Sequence, residues 1–225
     1  MEIKVLRNVL EANDAVASEN RALLDASGTY AVNLIASPGA GKTTLLERTI
    51  EGLRDEFRIG VVEGDIAGSV DAERIARHGV SVVQINTGVD CHLNAPTVRG
   101  ALDSLPLKDL QLLFIENVGN LVCPAGFDLG ENAKVVVLSV AEGDDKPEKY
   151  PLIFERSAAM VLNKIDLLSM VDFDLDRARS KARAAHPDLP IFELSARTGQ
   201  GLDAWLDWLR HALVVRARVG SVRGD

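Results

Sequence analysis

Lys42, Thr43 and Thr44 close the stretch ASPGAGKTT, residues 36–44, directly after Pro38, Gly39, Ala40 and Gly41. A cation beside two hydroxyls and two glycines suits a phosphate chain. The glycines let main-chain N–H groups approach the phosphates, the lysine meets the β- and γ-phosphates, and the Thr43 oxygen is a hard ligand suited to Mg²⁺. Such a loop ordinarily opens with glycine, and here Ala36 stands in that place. Alanine serves there if its φ is negative.

Two later stretches select the base. AAMVLNKIDLL carries Asn163, Lys164 and Asp166 immediately after an apolar run. The Asp166 carboxylate can accept from guanine N1–H and the 2-amino group, a pairing adenine does not offer. Asn163 is expected at the base edge, with the Lys164 stem over the ring. LPIFELSARTGQG then places Ser195, Ala196 and Arg197 after another apolar run, where a main-chain N–H can meet guanine O6. GTP or GDP is therefore the expected nucleotide, and an ATP-using kinase is a poor reading. In LLFIENVGN an apolar run ends at Glu116, with Gly119 three residues on. GTPases usually have Asp-x-x-Gly in this slot, where the carboxylate joins the magnesium shell and the glycine senses the γ-phosphate. VVEGD offers Asp65 as a second magnesium-side or water-positioning acid, and Asp71 follows either in a switch segment or as a helix cap.

Cys91 and His92 are adjacent in NTGVDCHLNAP, and Cys123 lies in NLVCPAG, four residues beyond Gly119. Thiolates and imidazole suit Zn²⁺ and Ni²⁺. Taken alone the set also fits buried or incidental thiols. A disulfide is a poor reading in a cytoplasmic chain, whose thiols are kept reduced. His78, His186 and His211 sit in polar, helix-like contexts and are expected on the surface.

These residues need a scaffold that holds their loops together. The runs TYAVNLIA, RIGVVE, VSVVQI, LQLLFIE, KVVVLSV, AAMVLN and LPIFELS are apolar without strict alternation, as strands buried on both faces are. Between them, segments such as TTLLERTIEGLRDEF and DAERIARHG have helical periodicity. The expected fold is α/β: a P-loop NTPase with a mostly parallel seven-stranded sheet flanked by helices. Ile3, Leu6, Val9, Leu10, Val16, Leu23 and Leu24 recur at helical spacing up to a stop at Ser27-Gly28. They predict an amphipathic helix packed outside the main domain, dividing the chain into a helical extension, 1–28, and a GTPase domain, 29–225. With 225 residues, 47% of them apolar, the chain can bury a large core. Its 25 basic and 33 acidic side chains leave a net charge of −8, which argues against nucleic acid as the main partner. No stretch approaches the roughly 20 apolar residues of a membrane span, and a cytoplasmic protein is expected.

The whole pattern resembles the hydrogenase nickel-incorporation GTPases, the HypB family, which belong with urease and methylmalonyl-CoA mutase accessory GTPases. The resemblance rests on SPGAGKTT, EGD, NTGVDCHLNA, LLFIENVGNLVCPAGFDLG, SVAEGDDKPEKYP, VLNKIDL and LSARTGQG, and covers nearly the entire chain. The Cys-Pro-His motif of a urease accessory GTPase is absent. The family implies a nickel-handling GTPase that loads [NiFe] hydrogenase. It implies a GTP-linked homodimer working with a small zinc-containing accessory protein and the hydrogenase large subunit. It also implies metal at Cys91, His92 and Cys123. Lys149 matches a family position that resembles a base contact across the dimer; otherwise it is a solvated lysine near a helix start. The N-terminal cysteine motif and histidine-rich tract of some members have no counterpart in MEIKVLRN, so only the site inside the GTPase domain carries over. The competing reading is a GTP-dependent switch for another cofactor-assembly system, of the urease or mutase type, with structural cysteines.

Overall fold

Each of the seven apolar runs is a strand in the computed structural model, which describes the backbone of residues 4–222 and the side chains of residues 10–216. The strands are β1 (Tyr30–Ala36), β2 (Ile59–Asp65), β3 (Ser81–Asn86), β4 (Leu112–Glu116), β5 (Ala133–Ser139), β6 (Ala159–Asn163) and β7 (Ile191–Glu193). They form one sheet in the order β3-β2-β4-β1-β5-β6-β7, and every pairing is parallel. The central strands are buried along their length, apart from half-buried Tyr30 at the start of β1, which is why they read as continuous apolar runs.

Side chains alternate between the two faces, so each strand feeds two cores. Val32, Leu34, Val61, Phe114, Val135 and Val161 meet α2 (Lys42–Leu53) and α8 (Leu202–Val222). There Leu45, Leu46, Ile50 and Leu53 of α2 pack beside Trp205 and Leu209 of α8. Opposite, Ala31, Val62, Leu113 and Ile115 pack with Leu24, Val98 and Leu102. Val98 and Leu102 belong to α4 (Ala95–Asp103), whose start is closed by a capping box between Asn94 and Thr97.

The N-terminal helix, α1 (Lys4–Ser27), ends at Gly28, whose φ of 74° suits glycine. Of the residues that hydrophobic spacing picks out, Leu24 alone is fully buried among the described side chains. Ile3, and the side chains of Leu6 and Val9, lie outside the described residues. Leu10 is exposed, and Val16 and Leu23 are half-buried. The inward stripe is Asn13, Ala17, Asn20 and Leu24. Asn13 donates to the Asp128 carbonyl and accepts from the Ala95 N–H; Asn20 donates to the carbonyls of Ala95 and Leu129. Two asparagines point inward because they satisfy main-chain groups of the loops they cover. A purely apolar criterion passes over them.

Candidate functional site

β1 runs into the phosphate loop at the middle of the sheet, with β4 on one side and β5 on the other. Loops at the C-terminal edge of such a sheet part at this point and leave a crevice. Ala36 is the last residue of β1, is fully buried, and is not among the positive-φ residues. A glycine is therefore not required there. It is required at Gly39 and Gly41, with φ of 79° and 95°. A Cβ on Gly41 would also stand 2.6 Å from the Asn163 amide nitrogen.

The crevice holds a cavity of about 500 Å³ lined by the phosphate loop, Lys42, Thr43 and the strand-end acids. The Thr43 hydroxyl donates to Glu116 Oε1 at 2.8 Å, and Lys42 Nζ lies 3.9 Å from the same oxygen. Glu116 is 2% exposed, and its Oε2 has no partner. This hydroxyl and orphaned carboxylate oxygen form a hard-oxygen set that fits Mg²⁺. Asp65 lines the same cavity, accepting from the N–H groups of Ile66 and Gly68. Asp71 lies in the first turn of α3 (Val70–Ala76), where Ser69 is the N-cap, and pairs with Arg74 at 2.9 Å. Pro38, Gly39 and Thr44 line the phosphate cavity, while Ala40 is buried beneath the loop.

Glu63 was not singled out by sequence. It sits across from Glu116 in the β2–β4 register and is 3% exposed. Burial, then the neighbouring Glu116 charge, pushes its carboxyl pKa up to about 10. Burial also raises the Glu116 pKa, against the pull of Lys42. The available signal was an acid inside the apolar run VVEGD. Arg74, also unforeseen, lines the cavity and is held by Glu47 at 2.5 Å.

A second cavity, of about 340 Å³, opens from the first beside Gly41, Thr44 and Lys164. Asp166 lines it, and its Oδ1 is buried without a partner. An acceptor left open at the wall of a base-sized cavity fits guanine. Lys164 has φ of 64°, the one positive value outside glycine among the described residues, and donates to the Gly39 carbonyl at 2.6 Å. The Asn163 amide, expected at the base edge, donates to the Ala40 carbonyl and accepts from the N–H groups of Lys164 and Ala196. It ties three loops together, because that amide is 1% exposed and its neighbours are main-chain groups needing partners. The Ala196 N–H expected at O6 is thereby engaged, and Ser195 accepts from Thr198 N–H. Lys149 is in neither cavity; it pairs with Asp145 at 2.5 Å on the exposed α5 (Lys146–Lys149).

The three soft ligands do come together. One ligand atom each from Cys91, His92 and Cys123 lies within 4.8 Å of the others, all half-buried. β3 is an edge strand and is separated from β4 by β2, so its loop must cross the end of β2 to reach Cys123. Gly64 permits the crossing: a Cβ there would meet Leu93 side-chain carbons at 2.8–3.0 Å. Burial lowers the His92 pKa, which favours the neutral, ligating imidazole, and the ring packs on Phe127 with centroids 4.1 Å apart. The paired thiol of Cys123 raises the Cys91 pKa, a cost that a bound cation reverses. Two thiols and an imidazole within reach of one point fit a soft or borderline divalent metal and leave its coordination incomplete. Two of the other histidines are less exposed than expected. His78 packs near Glu47 and Glu51, and His186 bonds the Ser157 carbonyl, while His211 is exposed.

No helix among the described residues is long and apolar enough to cross a membrane. Residues 30–193 match the model of the CobW/HypB/UreG nucleotide-binding domain. A hydrogenase maturation factor HypB from Azotobacter chroococcum mcd 1 is 48% identical over 225 residues, covering 99% of this chain and 74% of its own. The crystal structure of the hydrogenase maturation factor HypB from Archaeoglobus fulgidus superposes with a TM-score of 0.85 at 44% identity, over 91% of this chain and 100% of that one. HypB from Helicobacter pylori, solved in complex with nickel, gives 0.86 at 38% identity, over 90% and 95%. With the phosphate loop, the open Asp166 acceptor and the Cys91–His92–Cys123 cluster on one sheet edge, the chain belongs to the HypB family of P-loop nucleotide-binding proteins.

Proposed function

We propose that this protein hydrolyses GTP and uses the nucleotide cycle to deliver nickel during maturation of [NiFe] hydrogenase, in the cytoplasm. One observation carries the reading: the three-ligand cluster opens on the same sheet edge as the nucleotide crevice, with Cys123 four residues beyond Gly119. Half-buried ligands with incomplete coordination suit a cargo that must enter and leave; a closed structural site would favour buried thiols.

Lys42 and the loop N–H groups hold the β- and γ-phosphates, and Asp166 orients guanine, with the Arg197 main chain beside the same cavity as a donor to O6. Thr43, Glu116 and Asp65 would hold Mg²⁺, which neutralises charge on the phosphate oxygens when bound. Asp65 and Asp71 are the acids placed to orient water. The γ-phosphate draws in Gly119, whose added Cβ would lie 3.0–3.1 Å from Pro38. Only glycine lets this loop lie so close to the phosphate loop. A second copy of the chain completes the metal shell. Val89, fully exposed beside the Cys91 loop, and Val122, 58% exposed beside Cys123, support that pairing. Lys149 then reaches the partner's base. The small zinc-containing accessory protein and the hydrogenase large subunit follow as partners, and Zn²⁺ as an alternative occupant.

Metal titration in the presence of GDP and of a non-hydrolysable GTP analogue tests the proposal. Nickel affinity is expected to differ between the two states. Cys91→Ala and Cys123→Ala are each expected to lose nickel while keeping GTP. Identical nickel affinity in both states, with stoichiometry unchanged in both variants, would leave the cysteines structural and the protein a switch for another assembly task.

A further inference from the structure

Gly119 is bracketed by two asparagines whose side chains lead to different halves of the ligand cluster. Asn117 Oδ1 accepts from Leu93 N–H at 3.0 Å, next to His92, and from Val118 N–H at 3.0 Å. Asn117 itself is anchored. Its N–H donates to the Leu34 carbonyl of β1, its amide donates to Asn33 of the same strand, and it is 1% exposed. Asn33 in turn donates to buried Glu131. The Cys91–His92 arm is thus tied to the rigid strand that carries the phosphate loop. On the other side of Gly119, half-buried Asn120 accepts from Val122 N–H at 2.8 Å and Cys123 N–H at 3.3 Å. The Cys123 arm is tied instead to the segment that follows Gly119.

We infer that Asn117 and Asn120 are positioning residues that convert a displacement of Gly119 into a change in the spacing between Cys123 and the Cys91–His92 pair. One arm stays with β1 and the other follows the nucleotide-sensing loop, so the ligand set is compact in one nucleotide state and spread in the other. This rests on the nickel-GTPase reading above and assigns its coupling to two side chains. The distinction is physical: Asn117 has three further bonds to the sheet and its own loop, whereas Asn120 accepts only from main-chain amides of its own loop and otherwise meets the Cys91 thiol across the cluster. A tether of one or two hydrogen bonds is weak enough to be repositioned, yet removing a half-buried acceptor from two amides costs enough to be measured.

The test uses the full chain and nickel(II) alone, in the presence of GDP or a non-hydrolysable GTP analogue. Wild type is expected to show affinities differing by about 5- to 150-fold between the states. Asn120→Ala is expected to abolish most of that ratio, and Asn120→Asp, which keeps an acceptor for the same two amides, to retain it. If Asn120→Ala lowers affinity equally in both states and the ratio survives, the side chain is merely structural and the inference falls while the nickel-GTPase reading stands. A wild-type ratio of one overturns both. Hydrogen exchange on the metal-free wild type gives an independent readout. Replacing GDP by the analogue is expected to change protection at the Cys123 amide and leave the Leu93 amide unchanged. Equal changes at both amides, or none at either, overturn the division into an anchored and a moving arm.

Discussion

Replacing Asp166 by Asn tests the base assignment most directly, because the protein itself makes little use of the carboxylate. Asp166 Oδ1 is buried and has no hydrogen-bond partner, so nothing in the fold depends on its charge. In the proposed GTP complex the two oxygens would accept from N1–H and the 2-amino group of guanine. The amide of Asn replaces one acceptor with a donor, which faces a guanine donor. Two charge-assisted hydrogen bonds are lost or weakened in a partly desolvated cavity, a penalty of about 2–4 kcal/mol. GTP affinity should then fall by about 30- to 900-fold. Xanthosine nucleotides carry an oxo group at the 2-position, which accepts from the new amide, so their affinity should rise. Stability of the nucleotide-free protein should change little, which separates a binding loss from misfolding. Calorimetric titration of GDP and xanthosine diphosphate against both proteins, with a urea denaturation of each, makes the comparison. Equal GDP affinity in the two proteins would refute the assignment, as would a GDP loss with no gain for the xanthine base.

Lys42→Ala should abolish phosphate release from saturating GTP, since no other cation in the loop reaches the β- and γ-phosphates; preserved turnover would remove the phosphate-loop reading. Turnover of the wild type should itself be slow, as Asn120 follows Gly119 and its acceptor is engaged by Val122 and Cys123 N–H groups. Asn20→Ala strips partners from the buried carbonyls of Ala95 and Leu129 and should cost about 2–4 kcal/mol in urea unfolding, whereas a cost below about 0.5 kcal/mol would mark α1 as a detachable extension. Burial raises the Glu131 carboxyl above its ordinary 4.5, against the pull of Lys134. The folded state therefore holds a proton that the unfolded chain gives up, and stability falls as pH rises from about 4.5 toward the raised folded value. Glu131→Gln should flatten that fall in metal- and nucleotide-free protein, and parallel stability–pH curves for the two proteins would contradict it.

Much of this molecule was legible because its signals are local. The phosphate loop declares itself through glycines at two positive-φ positions followed by a lysine, and Ala36 stands where the backbone is still strand. The central strands were visible because burial on both faces leaves an uninterrupted apolar run, and the half-buried edge strands β3 and β7 because they keep short apolar runs. Asp166 stood out because its proposed partner is a ligand of known chemistry rather than another part of the chain. What stayed hidden involves side chains whose partners are main-chain groups far away in sequence. Asn163 reaches Ala40, 123 positions away, and Asn20 reaches Leu129, 109 positions away. Any residue type can present a carbonyl or an amide, so these pairings leave no trace in composition or periodicity. Glu63 and Glu116 look like two unrelated strand-end acids until the β2–β4 register sets them side by side and burial changes their protonation. The cysteines and histidine were readable as residue types, but their meeting depends on a loop crossing from edge strand β3 over Gly64 to the end of β4. Sequence supplied the donor atoms and Gly119; only the packed sheet decided that Gly119 stands between an arm held by Asn117 and an arm held by Asn120.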